Sequence, residues 1–300
     1  MRQGWLWVCL GAVLWGTAGM AAKILTGEYG MDALGVAAWR LLLSLPLLLP
    51  AAVAEARGRG PQGSVKRTHW RWFFLFGAAV AGYQASFFTS VEMTRVSTAT
   101  LLTICTAPIL VAVIARTVLR EPQEKRTWLA MSLGLIGVAL LVGVDSLAGL
   151  AVGRYVWGNG WALVAAACYG GYVVIGKRLL EEVSPFRVTG YAFAVGAVLM
   201  LPALEWPEPS WTAWMLLLYL GFIPTGFAYL LYIRGLEQTT ATRASIAALL
   251  EPLTASVLAV IFLGERLTVW GWLGGGMLLF SLTWLSIPGR HREKQAVSNP

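Results

Sequence analysis

The chain has 300 residues, of which 57% are hydrophobic and 13% charged, with a net charge of +8 and a mean hydropathy of +0.66. Soluble domains carry about twice that charged fraction, so a water-soluble globular fold is excluded. The basic residues do not gather on one polar domain but fall between long apolar runs, which argues for membrane topology and against nucleic acid as a partner.

Ten apolar segments follow one another, at 5–25, 32–50, 72–93, 98–118, 127–144, 159–178, 187–204, 212–233, 244–262 and 270–287. Each is close to the ~20 residues that a helix needs to cross ~30 Å of hydrocarbon. The first follows Arg2 as a signal peptide would, but it is long and has a counterpart inside the chain, so it is expected to be a span. The stretch 51–69 is a polar connector, 145–157 joins the two halves, and 289–300 is a polar tail. With ten spans and a cytoplasmic N-terminus, 18 of the 23 Lys and Arg fall on the inner side and four on the outer, with Arg40 left inside a span. That asymmetry places both termini in the cytoplasm.

The halves repeat. Gly4, Trp7, Gly16 and Lys23 recur 154 residues later as Gly158, Trp161, Gly170 and Lys177, and Trp15 meets Tyr169. Trp70, Gly77, Thr98, Pro108, Glu121 and Trp128 recur 144 residues later as Trp214, Gly221, Thr242, Pro252, Glu265 and Trp272. Five spans is an odd number, so the second copy must enter from the opposite side. The expected fold is therefore an all-α membrane protein of ten transmembrane helices in two inverted five-helix repeats, 1–144 and 158–288.

Candidate functional groups are few. Glu251 lies inside the ninth apolar segment, and its repeat counterpart is Ala107. A carboxylate at that depth is expensive and functional by default: it binds a cationic group, takes up a proton, or serves as a structural ion-pair partner. Arg40, mid-span, either binds a substrate carboxylate or pairs with Glu251. Trp15, Tyr83, Phe87, Tyr169, Tyr172 and Tyr232 are aromatics within spans of both halves, suited to helix packing or to holding an ammonium by cation–π contact. Pro108 and Pro252 each remove a backbone hydrogen bond, as kinks or hinges. Glu121 and Glu265 close the fourth and ninth spans and are expected at opposite membrane faces, in a local ion pair with Arg120 or Arg266 or in a gate contact. Gly271 and Gly275 form a small-residue stripe, either a seam within the bundle or a homodimer contact. The odd set Cys9, Cys105 and Cys168 lies in apolar segments and reads as packing. No metal-ligand spacing and no phosphate loop occurs, so no metal, cofactor or nucleotide drive is expected.

The stretches AVLWGTAGMAAK (12–23), ALGVAAWRLLLSLPLLLP (33–50), GYQASFFTSVEMTRVSTATLLTICTAPIL (82–110) and GFAYLLYIRGLEQTTATRASIAALLEPLTASVLAVIFLGERLTVWGWLGGGML (226–278) resemble the EamA-type transporters of the drug/metabolite transporter superfamily. The EP and LGER elements of the last stretch are the most specific, and the first repeat departs from them with REP. The resemblance implies a central cavity and export of small metabolites, amino acids prominent among them, across the bacterial inner membrane. Drugs, amines and nucleotide-linked sugars are other substrates within that family. An intramembrane enzyme acting on lipid-linked groups is the alternative from another class; the spans lack the His and Asp such chemistry would use.

Overall fold

The computed structural model describes residues 2–58, 65–143, 152–207, 210–264 and 266–287. The tail at 289–300, most of the 145–157 connector, part of the 51–69 loop, and Glu265 lie outside the described residues. Among the described residues there is no strand. The helices are α1 (Arg2–Gly16), α2 (Ala18–Gly27), α3 (Ala33–Gly58), α4 (His69–Met93), α5 (Val96–Val118) and α6 (Lys125–Val142) in the first half. The second half holds α7 (Val156–Leu179), α8 (Pro185–Met200), α9 (Trp211–Leu220), α10 (Ala228–Gln238), α11 (Ala241–Ala247), α12 (Leu250–Leu263) and α13 (Val269–Ser286). A π-helical stretch, Gly221–Phe227 with Pro224 inside it, joins α9 to α10.

Nine helical stretches among the described residues are long and apolar enough to span a membrane: α1 with α2, α3, α4, α5, α6, α7, α8, α9 with α10, and α11 with α12. The tenth, α13, has 18 uncharged residues, but its glycines and tryptophans dilute its hydropathy. Its outward face is apolar all the same: Trp272, Leu273 and Phe280 are at least half exposed. Large apolar side chains standing outward along most spans suit hydrocarbon, not water. Trp157, Trp206 and Trp211 are each more than three-quarters exposed at helix starts and turns, where an indole would sit at the headgroup level.

The repeat is visible in the packing. Gly4 would carry a Cβ into Gln238, and its counterpart Gly158 into Thr94; 94 plus 144 is 238. Gly16 lies on Thr254 and Ala255, and its counterpart Gly170 on Leu110 and Val111, again 144 apart. Two sequence offsets thus turn one set of interhelical contacts into the other, as a pseudo-twofold axis requires. The strands of contact also give helix directions. Phe76 meets Tyr172 and Gly176 while Thr94 meets Gly158, so α4 and α7 are antiparallel. Thr103 donates to the Ala162 carbonyl and Gly170 faces Val111, so α5 and α7 are parallel. Both agree with inverted repeats.

The fifth and tenth spans close the bundle on the axis. Gly137 faces the Gly274 backbone, and the Ser281 hydroxyl donates to the Ala130 carbonyl at 2.5 Å. Gly275 lies against Leu253 and Leu141. The glycine stripe of α13 is therefore a seam inside the bundle over Gly274 and Gly275, while a Cβ on Gly271 would meet only its own helix end.

Spans 1, 8 and 9 are interrupted, at Thr17, at Gly221–Phe227 and at Ala248–Leu249. Their repeat mates α7, α4 and α5 run through the equivalent positions unbroken. This corrects the even-handed expectation for the prolines. Pro108 lies inside the continuous α5, whereas Pro252 lies in the first turn of α12, where no intrahelical acceptor is forfeited.

Candidate substrate cavity

A break in a helix frees backbone groups and exposes a helix start. The break at Ala248–Leu249 places Glu251 in the first turn of α12, ten residues into a span that begins at Ala241, or ~15 Å along it. A carboxylate is favoured there by the positive end of the α12 dipole. Glu251 is half-buried and borders a narrow cavity of about 20 Å³, little more than the space one water needs, so the site is closed down in this conformation. The cavity is walled by Thr103, Ile104, Ala107 and Pro108 from α5, by Ser245, Ala248 and Leu249, and by Tyr83 and Tyr169. Ala107 and Glu251 are repeat equivalents, so the cavity straddles the pseudo-twofold axis and Glu251 supplies its asymmetry.

The aromatic residues form one cluster beside this cavity. Tyr83 lies 6.1 Å from Tyr169, and Tyr169 lies 4.9 Å from Tyr172, ring centre to ring centre. Trp15 sits 4.8 Å from both Tyr229 and Tyr232, and its buried indole Nε1 has no hydrogen-bond partner. The Tyr172 and Tyr229 hydroxyls are 3.5 Å apart. Phe87 stacks on Tyr83 at 6.0 Å and does not itself line the cavity. Of the residues expected from sequence, Glu251, Pro108, Tyr83 and Tyr169 line the cavity, while Trp15, Tyr172, Tyr232 and Phe87 belong to the aromatic cluster without lining it. Tyr229, Thr103 and Ser245 were not anticipated. Tyr229 was detectable, because i,i+3 spacing puts it on the same helix face as Tyr232.

Arg40 does not line the cavity and makes no ion pair with Glu251; its Nε donates to Thr225 Oγ1 at 3.0 Å. It remains within electrostatic reach of Glu251, Tyr83 and Tyr229. Thr225 belongs to the π-helical stretch, so Arg40 ties α3 to the interrupted span 8. Among the described residues the Glu251 side chain has no hydrogen-bond or ion-pair partner, and it borders the cavity. No group of His, Cys, Asp or Glu among the described residues converges closely enough to hold a metal ion.

Glu121 does not make the local pair expected of it. Its carboxylate is buried and accepts from the backbone N–H of Ala241 at 2.9 Å and of Thr242 at 3.2 Å, capping α11 from the other repeat. Gln123 Nε2 adds a bond to Thr242 Oγ1 at 3.0 Å. On the same face, Lys177 Nζ donates to the carbonyls of Leu236, Glu237 and Thr239 at 2.8, 3.1 and 2.6 Å, around the C-terminal end of α10.

Comparison with known proteins agrees with this architecture. The model of the EamA-like transporter family matches residues 2–143 and again 156–287. The chain is 32% identical over 292 residues to the uncharacterized transporter YwfM of Bacillus subtilis, covering 96% of this chain and 95% of that one. It is 29% identical over 282 residues to an uncharacterized transporter of Archaeoglobus fulgidus, with 93% and 94% covered. It is 27% identical over 304 residues to the uncharacterized inner membrane transporter YicL of Salmonella typhimurium, with 98% and 99% covered. One solved crystal structure superimposes with a TM-score of 0.78 over 94% of this chain and 96% of its own, at 18% identity, a likeness of fold. The twofold match over nearly the whole length, on a polytopic helical chain with inverted packing, establishes that this protein belongs to the EamA-like transporter family.

Proposed function

We propose that the protein is a secondary transporter that exports amino acids or closely related small metabolites from the cytoplasm by alternating access. The observation that carries this reading is Glu251: an unpaired carboxylate at a helix start, facing a cavity that both repeats share. A carboxylate beside tyrosine and tryptophan rings suits an ammonium group, by charge and by cation–π contact. Arg40, a few side chains away, supplies positive potential for a substrate carboxylate. A cation and an anion held apart across one site match a zwitterion better than a neutral solute.

Inverted repeats supply the means of movement. Exchanging the conformations of the two halves closes one face and opens the other around a site that stays near the midplane. The substrate gradient drives export, or Glu251 takes up a proton as the substrate leaves. The distribution of Lys and Arg supports cytoplasmic termini, and the inner membrane in the name of the Salmonella relative supports that membrane.

The test is solute flux. Purified protein in liposomes loaded with a mixture of amino acids should give saturable efflux of a subset of them, with other metabolites competing weakly. Efflux indistinguishable from empty liposomes for every amino acid would overturn the proposed substrate class. Selective movement of amines or sugars would replace it.

A further inference from the structure

A second hollow lies apart from the cavity, on the outer surface where α4 of the first repeat packs on α8 of the second. It measures about 340 Å³ and is walled by Trp70 and Phe74 of α4 and by Tyr191, Ala194, Val198 and Leu199 of α8. Trp70, Phe74 and Val198 are each more than half exposed, so the hollow is a groove open along its outer side. The two helices run parallel, since Trp70 meets Tyr191 and Gly77 meets Val195. Trp70 and Tyr191 thus stand at the end of the groove nearer both helix starts. Arg67 and Arg71 flank Trp70 there, both exposed, with the Arg71 guanidinium 5.6 Å from the Trp72 ring centre. Glu182, an acid on the same side, is engaged by Lys66 and His69. Among the described residues no carboxylate pairs with Arg67 or Arg71.

The inverted repeat supplies an internal comparison. Moved by 144 and by 152 residues, Gly77 and Val195 become Gly221 and Leu43, and these too are in contact. In the same register Trp70 and Tyr191 become Trp214 and Trp39, whose ring centres are 5.0 Å apart. Here, however, a third ring is present: Trp206 packs on both, 5.4 Å from Trp39 and 6.1 Å from Trp214. Ala194 becomes the larger Leu42, and Arg67 and Arg71 become the uncharged Trp211 and Met215. In one repeat pairing the protein covers the mouth of the crease with its own indole. In the other the crease is left open, and two guanidinium groups stand at its mouth.

We propose that the α4–α8 groove is a site for an anionic phospholipid, with one acyl chain in the groove and the phosphate between Arg67 and Arg71. An open apolar groove on a membrane-facing surface takes a hydrocarbon chain, and the matching charge selects its head. Trp70, half exposed at the mouth, lies at the level where indoles meet headgroups. In the proposed topology the mouth faces the cytoplasmic leaflet. A zwitterionic lipid offers the same chain but brings an ammonium to the two arginines, which cancels the attraction. The lipid touches α4 and α8 together, so it sits on a joint between the two repeats. Its binding does not depend on which solute the protein carries.

Native mass spectrometry of the full-length protein, delipidated in detergent, tests it. The protein is titrated with phosphatidylglycerol or with phosphatidylethanolamine carrying the same acyl chains. A basic residue at a membrane surface contributes about fivefold to the binding of an anionic lipid, so two arginines predict a preference for phosphatidylglycerol of about twentyfold. Changing Arg67→Gln and Arg71→Gln together should bring phosphatidylglycerol down to the level of phosphatidylethanolamine. Ala194→Phe fills the groove and should weaken both lipids several-fold; Leu42 at the equivalent position indicates that a larger side chain fits there. Val198→Trp, at an exposed position on the rim, should do the same without touching the floor. Lys125→Gln removes an exposed cation at the start of α6 and should change neither lipid. Equal binding of the two lipids by the wild type would overturn the site. So would phosphatidylglycerol binding unmoved by the arginine pair or by both groove variants, or a loss in Lys125→Gln as large as that in the arginine pair.

Discussion

Placing a methyl group at Gly137 tests the seam between the fifth and tenth spans. A Cβ there would stand 2.7 Å from the Gly274 carbonyl oxygen and 2.9 Å from the Leu278 amide nitrogen. Both are backbone atoms of a helix, so no rotamer change relieves them, and α6 and α13 must part. Overpacking of this kind destabilises by about 1–3 kcal/mol. Replacing glycine by alanine in a helix also gives back up to ~1 kcal/mol of propensity. Gly276, on α13, is the internal control, since a Cβ there meets nothing within 4 Å. Subtracting the Gly276→Ala effect from the Gly137→Ala effect cancels propensity and leaves the seam, about 2 kcal/mol or roughly thirty-fold in the unfolding equilibrium. Titration with dodecyl sulfate in mixed micelles, followed by tryptophan fluorescence, measures both. If the two alanine variants unfold at the same detergent fraction, the close approach of α6 and α13 is wrong.

Other outcomes follow from single contacts. Glu121→Ala strands the Ala241 and Thr242 amides and should destabilise by about 1–3 kcal/mol, with faster hydrogen exchange confined to α11; Glu121→Gln should recover part of it. Arg120 has a φ of 52°, and its repeat counterpart Gly264 has a φ of 67°. The left-handed region disfavours arginine by about 1–2 kcal/mol, so Arg120→Gly should be neutral or stabilising in the same titration while Gly264→Ala destabilises. Trp39→Phe removes a donor that lies 2.6 Å from the Glu205 carbonyl and should loosen the end of α8 by about 1 kcal/mol, read as hydrogen exchange near 201–205. Glu182, exposed in the turn before α8, is held below the usual carboxylate range by its bonds to Lys66 and His69. A depressed value means that this contact is present at neutral pH and fades as pH falls through the lowered value. Protection of amides 66–72, taken relative to their intrinsic exchange at each pH, should therefore fall only in acid; a fall already near pH 6 would contradict it.

The architecture was legible because it is written twice. Glycines at 4 and 77 hold register with 158 and 221, and in the structure each is a point where two helices approach too closely for a Cβ. Only a small residue fits such points, so their spacing records contacts directly. Glu251 was legible for a different reason, since a charge deep in an apolar run has no packing role to hide behind. The helix breaks were not legible. Pro108 and Pro252 are the same residue in the same register, yet one lies in a continuous helix and the other follows a break. What differs is the conformation each half has adopted, and local sequence does not decide that in an inverted pair. The role of Glu121 was missed because its partners, the amides of Ala241 and Thr242, lie about 120 residues away. Arg40 was read as a binding or pairing group, and its anchor is the hydroxyl of Thr225, a residue that attracts no notice in sequence.

The account stands or falls on Glu251 as the working group of the cavity. The direct measurement is counterflow of an amino acid in liposomes at two pH values, with wild-type protein and Glu251→Gln in parallel. We expect saturable counterflow by the wild type, at least about tenfold slower in the variant, which keeps the shape of the side chain but not its charge. Equal counterflow by both proteins, with the same pH dependence, would contradict it.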